Sequence, residues 1–247
     1  MRSRSGLYRR QDGEERLWYQ PSDIERMMED ALRNSMCLAS EESPATDIER
    51  FIGSLGARMD QYADLEPDVL GLTEFHKGSS PKIFINRDLT GAIDDDETPP
   101  GIRGRWRATM AHEASHVVMH RILFELNEGQ AALFSIEPQL PKQLMRCLKK
   151  NVLFRGRASD WREVQANMGM AALLMPQSLF RAVVAHTVTN LHLHADGLVV
   201  GSPSAAKLTA EVATLFDVSR QAAGIRLETL GLLSPSRQPW LISGNGT

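Results

Sequence analysis

Hydrophobic positions recur at helical spacing over most of this chain and alternate in only one short region. In PSDIERMMEDALRNSMCL, Pro and Ser/Asp start signals precede Ile24, Met27, Met28, Ala31 and Leu32 at helical steps, which predicts a first helix. ATDIERFIGSLGARMDQYA predicts a second. VLGLTEFH and KIFIN, separated by KGSSP, read as two strands joined by a turn, with Pro81 suited to the entry of the second. The alternation in KIFIN sets Ile83 and Ile85 on one face and Phe84 on the other.

The acidic stretch DLTGAIDDDETPPGIRG reads as a loop leading into the helical string ATMAHEASHVVMHRILFE. The long connector from Leu126 to Asp160 predicts irregular chain with one amphipathic helix. WREVQANMGMAALLM is strongly helical and stops at Pro176. TAEVATLFDVSRQAAGIRLETLGLL has the shape of a helix-turn-helix, with the turn at FDVS and the second helix starting at Ser219. Its apolar positions, Leu215, Phe216, Val218, Ala222, Ile225, Leu227, Leu230 and Leu232, read as core. There is no internal repeat. Few strands, grouped early among several helices, indicate an α+β fold with a small antiparallel sheet. The expected organisation is a flexible arm over 1–20, a main domain over 21–185, a helical region over 186–235 and a polar tail over 236–247.

Composition changes this picture mainly by exclusion. The 247 residues are 42% hydrophobic and 24% charged with net charge −3, an ordinary globular balance without the basic excess of a nucleic-acid binder. The basic clusters at Arg2 to Arg10 and Arg103 to Arg107 read as a solvated tail and a solvated helix start. Two cysteines, Cys37 and Cys147, in no CxxC arrangement, exclude a disulfide framework and a cysteine-type zinc site. Nothing approaches the roughly 18 uninterrupted apolar residues of a membrane span, and the arginine-rich N-terminus lacks the apolar run of a secretory signal. The expected location is cytoplasmic.

The string His112-Glu113-Ala114-Ser115-His116 carries the candidate chemistry. Residues four apart on a helix lie about 40° apart around its axis, so His112 and His116 project side by side and can grip one metal ion. Glu113, off that stripe, is placed to take a proton from water near the metal. Both histidines share a face with Met119 and Leu123, so they point inward; the alternative is a hydrogen-bonded core pair. In the later helix, Glu163 shares a stripe with Asn167, Met170 and Leu174. A carboxylate on an apolar face is expensive without a cation or donor to meet it. A third metal ligand explains it, and so would an arginine partner. His120 is poorly placed to join the same ion and is a candidate support behind it. His192 and His194 read as surface residues. Ile83, Phe84 and Ile85 are candidates for pairing with an extended substrate, or else form a core strand.

HEASHVVMH, EVQANMGMAALLMP and EVATLFDVSRQAAGIRLETLGLL, with the VLGLTEFHKGSSPKIFIN hairpin, resemble in order the signatures of the ImmA/IrrE family of metallopeptidases. The resemblance implies a zincin-like catalytic domain followed by a helix-turn-helix-like region. It implies Zn²⁺, with Mn²⁺ as the alternative, held by His112, His116 and Glu163, Glu113 as base, and Asn167 as a support four residues beyond Glu163. It also implies a bacterial or mobile-element protein that cuts a helix-turn-helix repressor and so relieves repression. A non-catalytic protein binding a repressor or DNA is the competing reading. Arg220, Gln221 and Arg226 are the residues that could reach DNA. Direct DNA binding is not expected, and neither is a membrane partner; the oligomeric state is left open. Three departures stand out. Gly169 replaces the family's usual aromatic and Met170 the following small residue, which should loosen packing, and the connector between His116 and Glu163 is long, with Glu125, Glu128 and Glu137 inside it as rival ligands.

Overall fold

The computed structural model describes residues 6–9, 15–76, 78–93, 100–125, 142–148, 161–194 and 198–235. Part of the expected flexible arm is paired: β1 (Gly6–Arg9) and β2 (Glu15–Trp18) form an antiparallel hairpin with Gly6 opposite Trp18. Two four-residue strands are too short to show alternation, so only the backbone pairing reveals them. Helix α1 (Pro21–Asn34) follows with proline in its first turn, burying Ile24, Met28 and Leu32.

The second expected helix is cut short. In α2 (Ile48–Ser54) the Asp47 side chain accepts from the Arg50 amide, and Phe51 and Ile52 pack inward. Gly56 then adopts φ +68°, a left-handed conformation that ends the helix, and the chain continues as β3 (Arg58–Ala63). The hairpin is as expected, β4 (Val69–His76) and β5 (Lys82–Asn86), with Gly78 at φ +75° in the turn.

The sheet order is β3-β5-β4-β6, where β6 (Lys142–Leu148) comes from the connector. This sheet is mixed rather than antiparallel. The hairpin places β4 on one side of β5, and β3 takes the other side running parallel to β5. Strand β6 runs antiparallel along β4, from Leu148 opposite Val69 to Lys142 opposite His76. The rest of the connector, with the amphipathic helix expected there, lies outside the described residues. Because β5 has neighbours on both sides, its backbone has no edge for an added peptide. Ile83 and Ile85 are fully buried and Phe84 partly so, making KIFIN a core strand.

Short helix α3 (Arg87–Gly91), inside the expected acidic loop, is capped by Asn86. The long α4 (Pro100–His120) crosses beneath the sheet, followed by a turn of helix α5 (Ile122–Glu125). Then come α6 (Trp161–Leu174), α7 (Gln177–Asn190), α8 (Pro203–Leu215) and α9 (Arg220–Thr229), the last capped by Ser219. One apolar core joins them, from Met28 and Phe51 through Ile83, Met110 and Leu173 to Phe216 and Leu227, on both sides of position 185. Among the described residues, no single helix is long and apolar enough to cross a membrane.

Several charged positions are not where a solvated reading puts them. Arg107 is buried, donating to the carbonyls of Thr46 and Asp217, while Arg103 pairs with Asp217 at 2.9 Å. Arg226 is 3% exposed; it grips Glu25 with both Nη atoms and the Met175 carbonyl with Nε and Nη2. It fastens α9 to α1 and to the end of α6, and is unavailable to DNA. Ile225, taken for core, is 40% exposed.

Gly169 tightens packing instead of loosening it. A Cβ there would lie 2.7 Å from Ser115 Oγ and 2.8 Å from Ser115 Cβ, so its hydrogen is what lets α6 lie against α4. Gly169→Ala gains up to about 1 kcal/mol of helix propensity. It loses about 1–3 kcal/mol to overpacking against a helix that cannot retreat. The expected net is a lower Tm by thermal denaturation; an unchanged or higher Tm would show that the interface has slack.

Candidate metal centre

The contact of α4 with α6 brings five polar side chains from one helix face against another. From α4 come His112, His116 and His120, all fully buried; from α6 comes Glu163, 7% exposed, with Asn167 one turn on. His112 Nε2 lies 3.2 Å from Glu163 Oε2, His116 Nε2 3.3 Å from Glu163 Oε1, and the two Nε2 atoms 3.2 Å apart. Tetrahedral ligands about 2.0–2.1 Å from a zinc ion stand about 3.3–3.4 Å from one another. The two Nε2 atoms, each close to one oxygen of the Glu163 carboxylate, are therefore already spaced as the ligands of a shared ion would be. Among the described residues, these three form the cluster able to hold a metal.

The far ring nitrogens are engaged as well, which leaves the Nε2 atoms to face the place a shared ion would take. His112 Nδ1–H donates to Asn167 Oδ1 at 3.1 Å. His116 Nδ1 lies 3.0 Å from His120 Nδ1, and His120 Nε2 lies 3.4 Å from Gln165 Oε1. Burial and the neighbouring His116 push His120 well below the ordinary imidazole range, so it is neutral. A neutral ring with Nε2–H turned to Gln165 presents Nδ1 as the acceptor His116 needs. Gln165 in turn donates to the Leu17 carbonyl at 3.2 Å, reaching strand β2 of the N-terminal hairpin.

Electrostatics agree with this grouping. Burial alone would raise Glu163, but hydrogen bonds from His112 and His116 outweigh it and hold the carboxyl well below the carboxylate range. Desolvation pulls His112 down, yet Glu163 and Glu113 carry it above its ordinary value. The residues fit a divalent cation: two imidazoles and an ionised carboxylate form a borderline N₂O donor set.

Glu113 faces the other way, toward the sheet. Thr73 on β4 donates from Oγ1 to Glu113 Oε2 at 2.5 Å. Gly71 makes room beside it, since a Cβ at that position would sit 2.8 Å from Glu113 Oε1 and 2.7 Å from Thr109 Cγ2. Oε1 itself is buried with no hydrogen-bond partner among the described residues. Desolvation therefore dominates and raises Glu113 to about 8, against the lowering influence of His112 and Thr73.

The structure thus brings together His112, Glu113, His116, His120, Glu163 and Asn167. His192 and His194 are exposed and apart from the cluster. Glu128 and Glu137 lie outside the described residues, as does the side chain of Glu125. Thr73, Gly71 and Gln165 were not picked out from sequence. For Gly71 a signal existed, because a glycine inside a strand pattern marks close approach of another group. Thr73 reads as an ordinary strand threonine.

Residues 103–228 match the family model of Peptidase M78, the IrrE N-terminal-like domain. The match covers just over half of the chain, and the chain belongs to this family, the ImmA/IrrE metallopeptidases. No curated protein is significantly similar to it.

The raised Glu113 makes a signed prediction. Between its ordinary 4.5 and about 8, the folded metal-free protein keeps a proton that the unfolded chain has released. Stability contributed by this group therefore falls as pH rises through that window. Metal-free Glu113→Gln lacks the titration, so its Tm advantage over the native chain should widen from pH 5 to pH 8. A pH-independent difference would show that burial does not hold the proton.

Proposed function

We propose that this member of the ImmA/IrrE metallopeptidases is a zinc-dependent endopeptidase with a zincin-like catalytic body, acting on a cognate helix-turn-helix repressor and so relieving repression. The observation that carries the reading is the convergence of two imidazole Nε2 atoms and the Glu163 carboxylate at 3.2–3.3 Å, beside a second carboxylate, Glu113, with one oxygen unpartnered among the described residues. When bound, Zn²⁺ supplies a Lewis acid that polarises the scissile carbonyl and acidifies water. His112, His116 and Glu163 would hold it, and Mn²⁺ is the alternative metal.

Glu113 is the base. Its Oε2 is fixed by Thr73, and Oε1 is left to take the proton of the attacking water and pass it to the leaving amine. A carboxyl raised to about 8 without metal is a strong proton acceptor once ionised, and a nearby cation favours the ionised form. Asn167 and His120 keep the ligating rings in the orientation and tautomer that expose Nε2.

The competing reading is a non-catalytic protein that binds a repressor or DNA. A buried carboxylate oxygen without a partner is costly, at about 1–3 kcal/mol or more, and a binding module has no use for it. The sequestered Arg226 removes one of the residues through which α9 could read DNA. The repressor as substrate rests on the family resemblance alone.

Glu113→Gln should keep metal, by chelator competition, while losing cleavage of the repressor encoded beside the gene; cleavage retained in that variant would sink the mechanism. Asn167→Leu should weaken metal affinity about 10–100-fold, the usual cost of removing a hydrogen bond behind a ligand. Unaltered affinity would show that the His112–Asn167 contact does not orient the ligand.

A further inference from the structure

His116 begins a row of hydrogen bonds that ends on the backbone of the N-terminal hairpin. Its Nδ1 lies 3.0 Å from His120 Nδ1, His120 Nε2 lies 3.4 Å from Gln165 Oε1, and Gln165 Nε2 lies 3.2 Å from the Leu17 carbonyl. An imidazole can carry its proton on either nitrogen and an amide can be turned end for end, so the middle of the row runs equally well in both directions. A backbone carbonyl only accepts. Leu17 therefore draws the Gln165 amino group and turns Oε1 to His120. His120 must then donate from Nε2 and accept at Nδ1, and His116 must donate from Nδ1. That order leaves the His116 Nε2 lone pair free for a metal. The other end of the row pulls the opposite way: Glu163 Oε1, 3.3 Å from His116 Nε2, draws a proton to that nitrogen when no cation is bound.

We propose that Gln165 is a positioning residue, and that the β1–β2 hairpin, through the Leu17 carbonyl, fixes the proton order of this row and so raises the metal affinity of His116. The word metal rests on the metallopeptidase reading; the proton order does not. His120 and Gln165 are both buried. An amide turned the wrong way would set Oε1 against the Leu17 carbonyl in a low dielectric, which is why the hairpin can hold it. Leu17 lies outside residues 103–228, the part of the chain that matches the family model, so this anchor comes from a segment beyond the match.

The full-length protein with Tyr8→Pro and Arg16→Pro tests this. Neighbouring strand residues turn their backbone groups to opposite sides, so with the Leu17 carbonyl given to Gln165 it is Arg16 that bonds to β1. Proline there and at Tyr8, which stands opposite, removes both donors and loosens the hairpin. Without metal, NMR shifts of the ring nitrogens should report His120 protonated on Nε2 in the native chain and moved toward Nδ1 in the proline variant. With Zn²⁺, chelator competition should show affinity weakened about 10–100-fold by the prolines. Gln165→Glu supplies the rescue: a carboxylate only accepts, so it presents an oxygen to His120 whatever the hairpin does, and in that background the prolines should leave zinc affinity unchanged. Prolines that alter neither tautomer nor affinity overturn the proposal. So does an equal loss in the native and Gln165→Glu backgrounds, which would mean that the hairpin acts by packing alone. Should Gln165→Glu not fold, Gln165→Leu decides: it should lose as much affinity as the prolines cause, and adding them should cost nothing more, whereas additive losses overturn the proposal. The tautomer is read without metal and judges the row; zinc binding by the native chain judges the metal centre.

Discussion

Glu163 cannot be buried alone, and neither can His112 and His116; the fold is arranged so that none of them is. An ionised carboxylate in the interior is tolerated only against donors or a cation, and here two imidazole nitrogens meet it at 3.2 and 3.3 Å. That meeting requires α4 and α6 to lie closer than ordinary side chains permit. Gly169 against Ser115 supplies the closeness, and the continuous apolar core on either side keeps the helices pressed together. The separations within the trio depend on this contact, so a methyl group at 169 acts on the cluster from two residues beyond Asn167.

A second contact, between α4 and the sheet, gives the cluster its asymmetry. His112 and His116 face α6, and Glu113, one position along, faces β4. Gly71 and Thr73 do different things to the same carboxylate: one leaves it space, and the other anchors one oxygen. The unpartnered second oxygen and the raised proton affinity follow from that division. The hydrogen-bonded line His116–His120–Gln165–Leu17 extends the centre to the N-terminal hairpin, tying a segment without an apolar run to the middle of the molecule.

The C-terminal helices show how the same residue can be read two ways. On sequence alone Arg226 is a cation on a second helix after a turn, a position that could reach a phosphate or base. In the fold it is closed off by Glu25 and the Met175 carbonyl, and serves to fasten α9 to α1 and to the end of α6. Arg107 has a similar fate beneath Asp217 and Thr46. Guanidinium groups within a helical pattern carry no mark of which partner they will find, because that partner lies 50 to 200 residues away.

What the sequence by itself determined was local. The helix spacing of His112, Glu113 and His116, the inward stripe holding Glu163, the proline that ends α6 and the hairpin β4–β5 all follow from periodicity within a few turns of chain. What only the tertiary structure decided was which local pieces meet. The parallel pairing of β3 with β5, which makes β5 an interior strand, the seat of β6 on β4, and the pairing of Glu113 with Thr73 join residues far apart in the chain. Periodicity states which face of an element is apolar; it does not state what that face will touch. Contact distance and strand order arise only when the whole core closes, and here they turn a sequence pattern into a buried cluster able to hold a metal, with the Glu113 carboxyl anchored beside it.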